Sequence, residues 1–356
     1  MANGALNRRD KRLGIGLWGG MSVNDLVDVV KYSDNHGYES AYIIESFSDP
    51  FCFLSACARE TERIKLGTGV ATVFTRNPTS IAIASATVDA ISEGRFRLGL
   101  GVGHREIHKV RDDVEVERPS PFINPLERLR ETTELTHALI GAAYRGENVN
   151  FSGSVFQLND YEPWMRPHRE RIEVFYGALS ESTFELAGEI ADGIAPIFTP
   201  IEFVEKMKAA VTRGAERVGR DPAEIDIQCY LPTSVSDDVE LARLAAKYDV
   251  AIHMSSFRYY RNYFVRQGMG DAVDKISDLI DTGNFDKAIE AVSDEMVEAV
   301  TVFGTPEMCQ ARIQEYRDAG VGLPIIFPIF EGFLSYLPVP GSHKKVIELL
   351  ESLAPS

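Results

Sequence analysis

The chain has 356 residues, 44% of them hydrophobic, which is enough for a large buried core. With 53 acidic against 37 basic residues its formal charge is −16, which argues against nucleic acid or an anionic membrane surface as the main partner. The four cysteines (Cys52, Cys57, Cys229, Cys309) form no C-x-x-C pair, no apolar core follows the basic N-terminus, and no apolar run is long enough to span a bilayer. A cytoplasmic protein with reduced thiols is expected.

Residues 13–17 read as a first strand. Ser22 offers an N-cap to a helix running toward Asn35, and Gly37 stops it. Residues 41–44 form a second strand candidate and 51–59 a second helix. The runs 64–66 and 96–100 are short, apolar and closed by glycines, as strands buried on both faces of a parallel sheet are. The alanine-rich stretch between them has Pro78 in its first turn and Gly94 past its end, which predicts a crossover helix in a right-handed βαβ unit. Glycines at both strand ends would let the backbone approach a flat ligand.

Further along, 126–144 is a long amphipathic helix, and 148–171 is a turn-rich excursion containing a small hairpin. Strands are expected at 174–177, 194–198 and 225–230, with helices through 183–189 and 203–218. From 239 to 300 the pattern stays helical, too long for one crossover, so this stretch reads as an insertion and as an interface with a second subunit. A helix at 306–319, an eighth strand at 324–330 and a last helix near 343–353 complete the chain. Eight strands alternating with helices predict one domain over 1–356, a closed (β/α)8 TIM barrel with a helical insertion between strands 7 and 8. An open doubly wound sheet would place a G-x-G-x-x-G turn after the first strand; Leu17-Trp18-Gly19-Gly20 stands there instead.

In such barrels the chemistry sits where strands end. The ends here are Trp18, Glu45–Ser46, Gly67–Val70, Gly101–His104, Gly177–Ser180, Phe198, Tyr230 and Phe327. They are poor in nucleophiles and metal ligands but rich in glycine, aromatics and small polar groups. That composition suits a planar cofactor that carries the hard chemistry itself. Segments 104–122 and 248–270 are expected to line the pocket. His104, His108 and Asp112 fall at i, i+4 and i+8 and could form a metal triad, but no further ligand cluster supports them, so no metal is assigned. Glu45 could accept a hydrogen bond from a ligand or relay a proton. It could equally be salt-bridged to a neighbouring loop.

ESFSDPF after strand 2, GTGVATVFTRNP after strand 3, GRFRLGLGVGH at strand 4 and GALSESTFELAGEIADG at strand 5 resemble the bacterial-luciferase-like superfamily. They look closest to its branch that uses the deazaflavin coenzyme F420. The segment DTGNFDKAIEAVSDEMVEAVTVFGTPE is similar to the methylenetetrahydromethanopterin reductases of that branch. The resemblance implies an oxidoreductase passing hydride from reduced F420 to a small organic substrate, with FMN-dependent monooxygenation as the alternative. A non-catalytic flavin-binding protein is the reading from another class.

The resemblance also implies a cis Gly69–Val70 peptide backing the cofactor ring, with Thr68, Gly69, Val70, Gly101 and Gly103 around it. It implies a phosphate corner at Gly177, Ala178, Leu179, Ser180 and Thr183, where free N–H groups and the helix dipole favour an anion. Ser180 or Ser182 could also simply cap that helix, and both roles can coexist. His104, with Arg105, Lys109 and Arg111, forms a basic run that either lies near the anionic cofactor phosphate and tail or is a solvated surface, and Glu45 and Ser46 are the catalytic candidates. Many relatives carry His where this chain has Ser46, and the reductases carry Glu where it has Gly16. Both departures count against reduction of a methylene-pterin. A homodimer is expected.

Overall fold

The computed structural model describes residues 12–18, 20–45, 48–103, 124–330 and 341–355. Its centre is a ring of eight parallel strands. β1 (Gly14–Trp18) pairs with β2 (Ser40–Ile44), and β2 with β3 (Lys65–Thr68). A two-residue strand, β4 (Ala71–Thr72), follows β3. Both β3 and β4 pair with β5 (Phe96–Gly101). After a two-stranded hairpin, β6 (Val149–Ser152) with β7 (Gln157–Tyr161), the ring resumes. It runs through β8 (Val174–Tyr176), β9 (Gly193–Ile194) and β10 (Asp226–Val235). A short strand, β11 (Val302–Gly304), extends β10 outside the ring. β12 (Leu323–Pro328) then pairs with β10 on one side and β1 on the other, closing the barrel.

Helices cover the ring. In chain order they are α1 (Val23–Asn35), α2 (Pro50–Glu60), α3 (Pro78–Ile91), α4 (Pro125–Arg145), α5 (Glu181–Ile190) and α6 (Ile201–Arg217). The insertion follows as α7 (Val239–Ser256), α8 (Arg258–Arg266), α9 (Gly270–Asp281), α10 (Phe285–Ala291) and α11 (Asp294–Val300). α12 (Pro306–Asp318) and α13 (Ser342–Leu353) complete the set. Helix starts follow local chemistry: Ser22, Asp49, Asn77 and Asn124 each accept a backbone N–H of the first turn, and Pro occupies the first turn of α2, α3 and α4. No helix of the described residues is long and apolar enough to cross a membrane.

The eight expected strands are present, with three shifts. The sixth, expected over 194–198, is the two-residue β9; Pro196 lacks an N–H for the ladder, and Ile197 keeps only an isolated bridge to Tyr230. The seventh, expected over 225–230, runs on to Val235, because Thr233–Val235 gain β11 as a partner. The third stops at Thr68 and restarts as β4; between them the Gly69–Val70 peptide is cis, where the resemblance implies it.

Two layers fill the barrel. Near its C-terminal end Trp18, Tyr42, Tyr230 and Phe327 meet edge to face, with Tyr230 touching both Tyr42 and Phe327. Full burial of each such ring stabilises the fold by roughly 1.5–3 kcal/mol. At the opposite rim, residues just before or within the first turns of the strands form a charge layer. Arg12 reaches Glu39 at 2.6 Å and Asp226 at 2.7 Å, while Arg97 reaches Glu173 at 2.9 Å and Glu39 at 3.5 Å. The layer plugs the end of the barrel away from the cavity described next.

Candidate active site

At the C-terminal ends of the strands lies a cavity of about 450 Å³. Its floor and near wall come from β2, the β3–β4 bulge and β5: Ile44, Glu45, Gly69, Val70, Thr72, Gly101, Val102 and Gly103. One end is formed by Gly177, Ala178, Leu179, Ser180 and Thr183 at the start of α5. The remaining wall includes Tyr230, Phe327, Leu126, Leu129 and Ile197 with residues of the insertion, His253, Tyr259, Tyr260, Asn262 and Arg266.

The strand-end glycines are required chiefly by the protein itself. A Cβ at Gly101 would stand 2.6 Å from Val70 Cγ2, and one at Gly177 would stand 2.9 Å from Val70 Cγ1. One at Gly99 would meet the Thr68 carbonyl oxygen at 1.9 Å. The bulge therefore seats Val70 between two glycine rims, and only then does its backbone border the cavity. Thr68 is not a lining residue. Its hydroxyl donates to the Gly99 carbonyl at 2.7 Å and accepts the Gly99 N–H at 2.9 Å, stitching β3 to β5.

Glu45 lines the cavity with its carboxylate already engaged. One oxygen accepts the Thr72 N–H at 2.8 Å and the other lies 3.1 Å from Arg76. Arg76 also holds Asp49 at 2.9 Å. Burial opposes the Arg76 charge, but the Glu45 charge and the Asp49 hydrogen bond outweigh it, and the guanidinium is held above its usual pKa. Ser46, His104 and the basic run through Arg105, Lys109 and Arg111 lie outside the described residues, as does the His104–His108–Asp112 triad.

Ser180 caps α5: its Oγ lies 3.3 Å from the Thr183 N–H and 2.7 Å from the Thr183 hydroxyl. Arg266, at the end of α8, reaches across and donates to the Leu179 carbonyl at 2.6 Å. A helix N-terminus, two hydroxyls and a guanidinium thus meet at one end of the cavity, which is a donor set for a phosphate. Strand-end reasoning found the α5 corner but not Arg266. Segment 248–270 was expected to border the pocket, yet its pattern shows only a helix, and which of its residues reach the cavity depends on how α7 and α8 fold back over the barrel.

Trp18 and Phe198 lie at strand ends but are not among the described residues that line this cavity. Trp18 is wholly buried against Phe327, closing the barrel core. Phe198 is wholly buried too, packed on His253, Tyr260 and Phe264. Burial raises the Tyr230 phenol well above its usual pKa, with the neighbouring Tyr42 and Tyr260 acting in the same direction.

A closed parallel barrel with a glycine-rimmed, strand-end cavity and a phosphate-type donor set at one side defines a class of cofactor-using (β/α)8 enzymes. The model of the luciferase-like monooxygenases matches residues 5–322, and the chain belongs to that family. It is 29% identical to the 5,10-methylenetetrahydromethanopterin reductase of Methanolobus tindarius, over 82% of this chain and 86% of the relative. A putative coenzyme F420-dependent oxidoreductase of Mycobacterium tuberculosis is 26% identical over 88% of this chain and 93% of its own length. Among solved structures, the coenzyme F420-dependent tetrahydromethanopterin reductase of Methanopyrus kandleri superposes with a TM-score of 0.80 at 25% identity, covering 95% of this chain and 96% of its own.

Proposed function

We propose that the chain is an oxidoreductase that binds reduced coenzyme F420 in the strand-end cavity and passes its hydride to a small organic electrophile. The observation that carries this reading is the layout of one cavity, bordered by Gly69–Val70 on one side and by Ser180, Thr183 and Arg266 at one end, in a fold shared along its length with an F420-dependent reductase.

The residues fit the group. The glycine rims leave the Gly69–Val70 backbone open to a flat ring, and the α5 corner with Arg266 supplies donors for its phosphate. When bound, the reduced deazaflavin supplies the hydride. The chain contributes placement, exclusion of water by the apolar wall of Leu126, Leu129, Ile197 and Phe327, and a fixed anion anchor. Thr68 acts through the bulge it stitches, and Glu45, which Ser46 follows in the sequence, accepts the Thr72 N–H at the end of β2.

Gly16 bears on the substrate. A Cβ there would lie 2.7 Å from the Tyr230 ring, so the space in which a reductase-type glutamate would begin is already filled. This departure counts against a methylene-pterin as the electrophile. The family description also supports a second reading, an FMN-dependent monooxygenase.

Anaerobic titration with each reduced cofactor separates the two, because reduced flavin is reoxidised on admitting oxygen and the deazaflavin scarcely reacts. Tight binding of FMN with no binding of F420 would reverse the order of the readings. A homodimer formed through the insertion belongs to the same reading: Leu241, Leu244, Val265 and Phe285 on α7, α8 and α10 are 41–51% exposed. So does a cytoplasmic setting, in which all four cysteines are free thiols.

A further inference from the structure

Tyr230 lines the cavity from β10 and is only 5% exposed. Its ring meets those of Tyr42 and Phe327 edge to face, with centroids at 6.1 and 6.5 Å, and its plane is thereby fixed. Two glycines make room for it. A Cβ at Gly16 on β1 would stand 2.7 Å from Tyr230 Cε1, and one at Gly69 in the bulge would collide with the Tyr230 hydroxyl oxygen. The hydroxyl therefore ends against the Gly69–Val70 peptide, where that peptide borders the cavity.

That hydroxyl does nothing for the fold. The buried phenols of Tyr38, Tyr176 and Tyr316 bond to Leu350, Thr133 and Thr199, but no described residue hydrogen-bonds to the Tyr230 hydroxyl. Its oxygen also keeps a solvent-accessible face, unlike the sealed hydroxyls of Ser40, Ser85 and Thr132. Phenylalanine would pack against the same neighbours without placing an unpaired donor at this depth, which destabilises a fold. Burial raises the phenol's pKa, so near neutral pH it holds its proton and can donate. Among the described residues, the titratable groups that act on it are themselves phenols, Tyr42 and Tyr260. A charged ligand group would find no counter-ion there, and a neutral acceptor is favoured. Elsewhere on the floor, Glu45 is held by Thr72 and Arg76, and the Thr72 hydroxyl is bonded to that of Thr75.

We propose that Tyr230 is the carbonyl anchor of this cavity, donating a hydrogen bond from its hydroxyl to a neutral C=O oxygen held beside Gly69. Two ligands carry such a group: a substrate that is a small ketone or aldehyde, and the cofactor ring with its pyrimidine carbonyls. The ring assignment rests on the deazaflavin reading above, and the substrate assignment rests on the cavity alone. On a substrate the bond draws charge toward oxygen and leaves the carbon more electrophilic. On the ring it fixes rotation in the ring's own plane against the Gly69–Val70 backbone. Gly16 and Gly69 belong to the same arrangement, since a side chain at either position would displace the phenol.

Tyr230→Phe tests this, because it keeps the ring and removes only the hydroxyl. Its Tm should equal or exceed the parent's, since no bond within the described protein is lost. Two equilibrium titrations read the two sources: oxidised F420 on the free enzyme, and cyclohexanone on the enzyme with oxidised F420, where no hydride is available. Methylenecyclohexane, which has the same shape without the oxygen, is the control. In Tyr230→Phe the dissociation constant of the anchored ligand should rise by about threefold to tenfold, while that of methylenecyclohexane stays within about twofold. A rise for cyclohexanone assigns the bond to the substrate, and its C=O stretching band should then lie at lower frequency on the parent than on the variant. A rise for F420 assigns the bond to the ring. No rise in either titration, a ketone loss matched by methylenecyclohexane, or a lowered Tm would overturn the proposal. A parent that binds FMN and not F420 would remove the deazaflavin reading alone. The FMN ring carries the same pyrimidine carbonyls, and its titration then decides the role of Tyr230.

Discussion

Val70 shows how little room the site leaves at the scale of single atoms. Its two methyl groups fill the places where Gly101 and Gly177 would carry side chains. Gly101→Ala should therefore lower stability by about 1–3 kcal/mol and push Val70 toward the cavity. Thermal unfolding and cofactor titration should show both a lower Tm and at least about tenfold weaker binding. Adding Val70→Ala should return most of the Tm, a coupling that independent sites would not show. Arg266 makes a separate prediction. Arg266→Ala should weaken F420 binding by about fivefold to tenfold, below the range for a buried charge-assisted bond because the side chain is exposed. Binding of a deazaflavin lacking the phosphate should not change. The glycines were legible in the sequence, but their reason was not: they read as room for a ligand and turn out to be room for a neighbouring valine. Arg266 left no local signal at all, since its contact lies 87 positions away.

Elements were legible where local pattern decides them. Caps, first-turn prolines and apolar runs located the helices and strands that close the barrel, because each needs only its own residues to declare itself. Extents set by a partner were not legible: β10 continues past Tyr230 because β11 pairs with it, and β9 stops short at Pro196. The hairpin β6–β7 depends on a distant partner too. Glu131 of α4, almost wholly buried, accepts the backbone N–H groups of Ser154, Val155 and Phe156 and the Ser154 hydroxyl. Burial alone would raise its pKa, but these donors outweigh burial and hold the carboxyl below its usual range. Glu131→Ala strands three N–H groups and should cost about 2–4 kcal/mol. Limited proteolysis should then cut first within 149–161, while cleavage elsewhere in the folded chain stays at the parent rate.

For the whole molecule, the two ends of the barrel have different work. The cavity end holds the chemistry, and the opposite end is closed by Arg12, Arg97 and their carboxylates. Burial alone would raise the pKa values of Glu39 and Asp226, but the hydrogen bonds and charge of Arg12 outweigh it and hold both below the usual carboxylate range. A carboxyl with a lowered folded-state pKa binds its proton more readily when the chain is unfolded. Its contribution is therefore full above the unfolded value of about 4 and disappears as pH falls through the folded value. Thermal unfolding followed from pH 7 to pH 3 should show Tm falling most steeply below about pH 5. Asp226→Asn should lower stability at pH 7 by about 2 kcal/mol, because Arg12 loses one of its two partners in a half-buried place. The gap between variant and parent should narrow as pH falls toward 3, since the parent then loses the same charge. Cofactor affinity at pH 7 should be equal in the two proteins, because the charge layer and the cavity lie at opposite ends of the strands. An Asp226→Asn enzyme with weakened cofactor binding but an unchanged pH dependence of Tm would refute this division of labour.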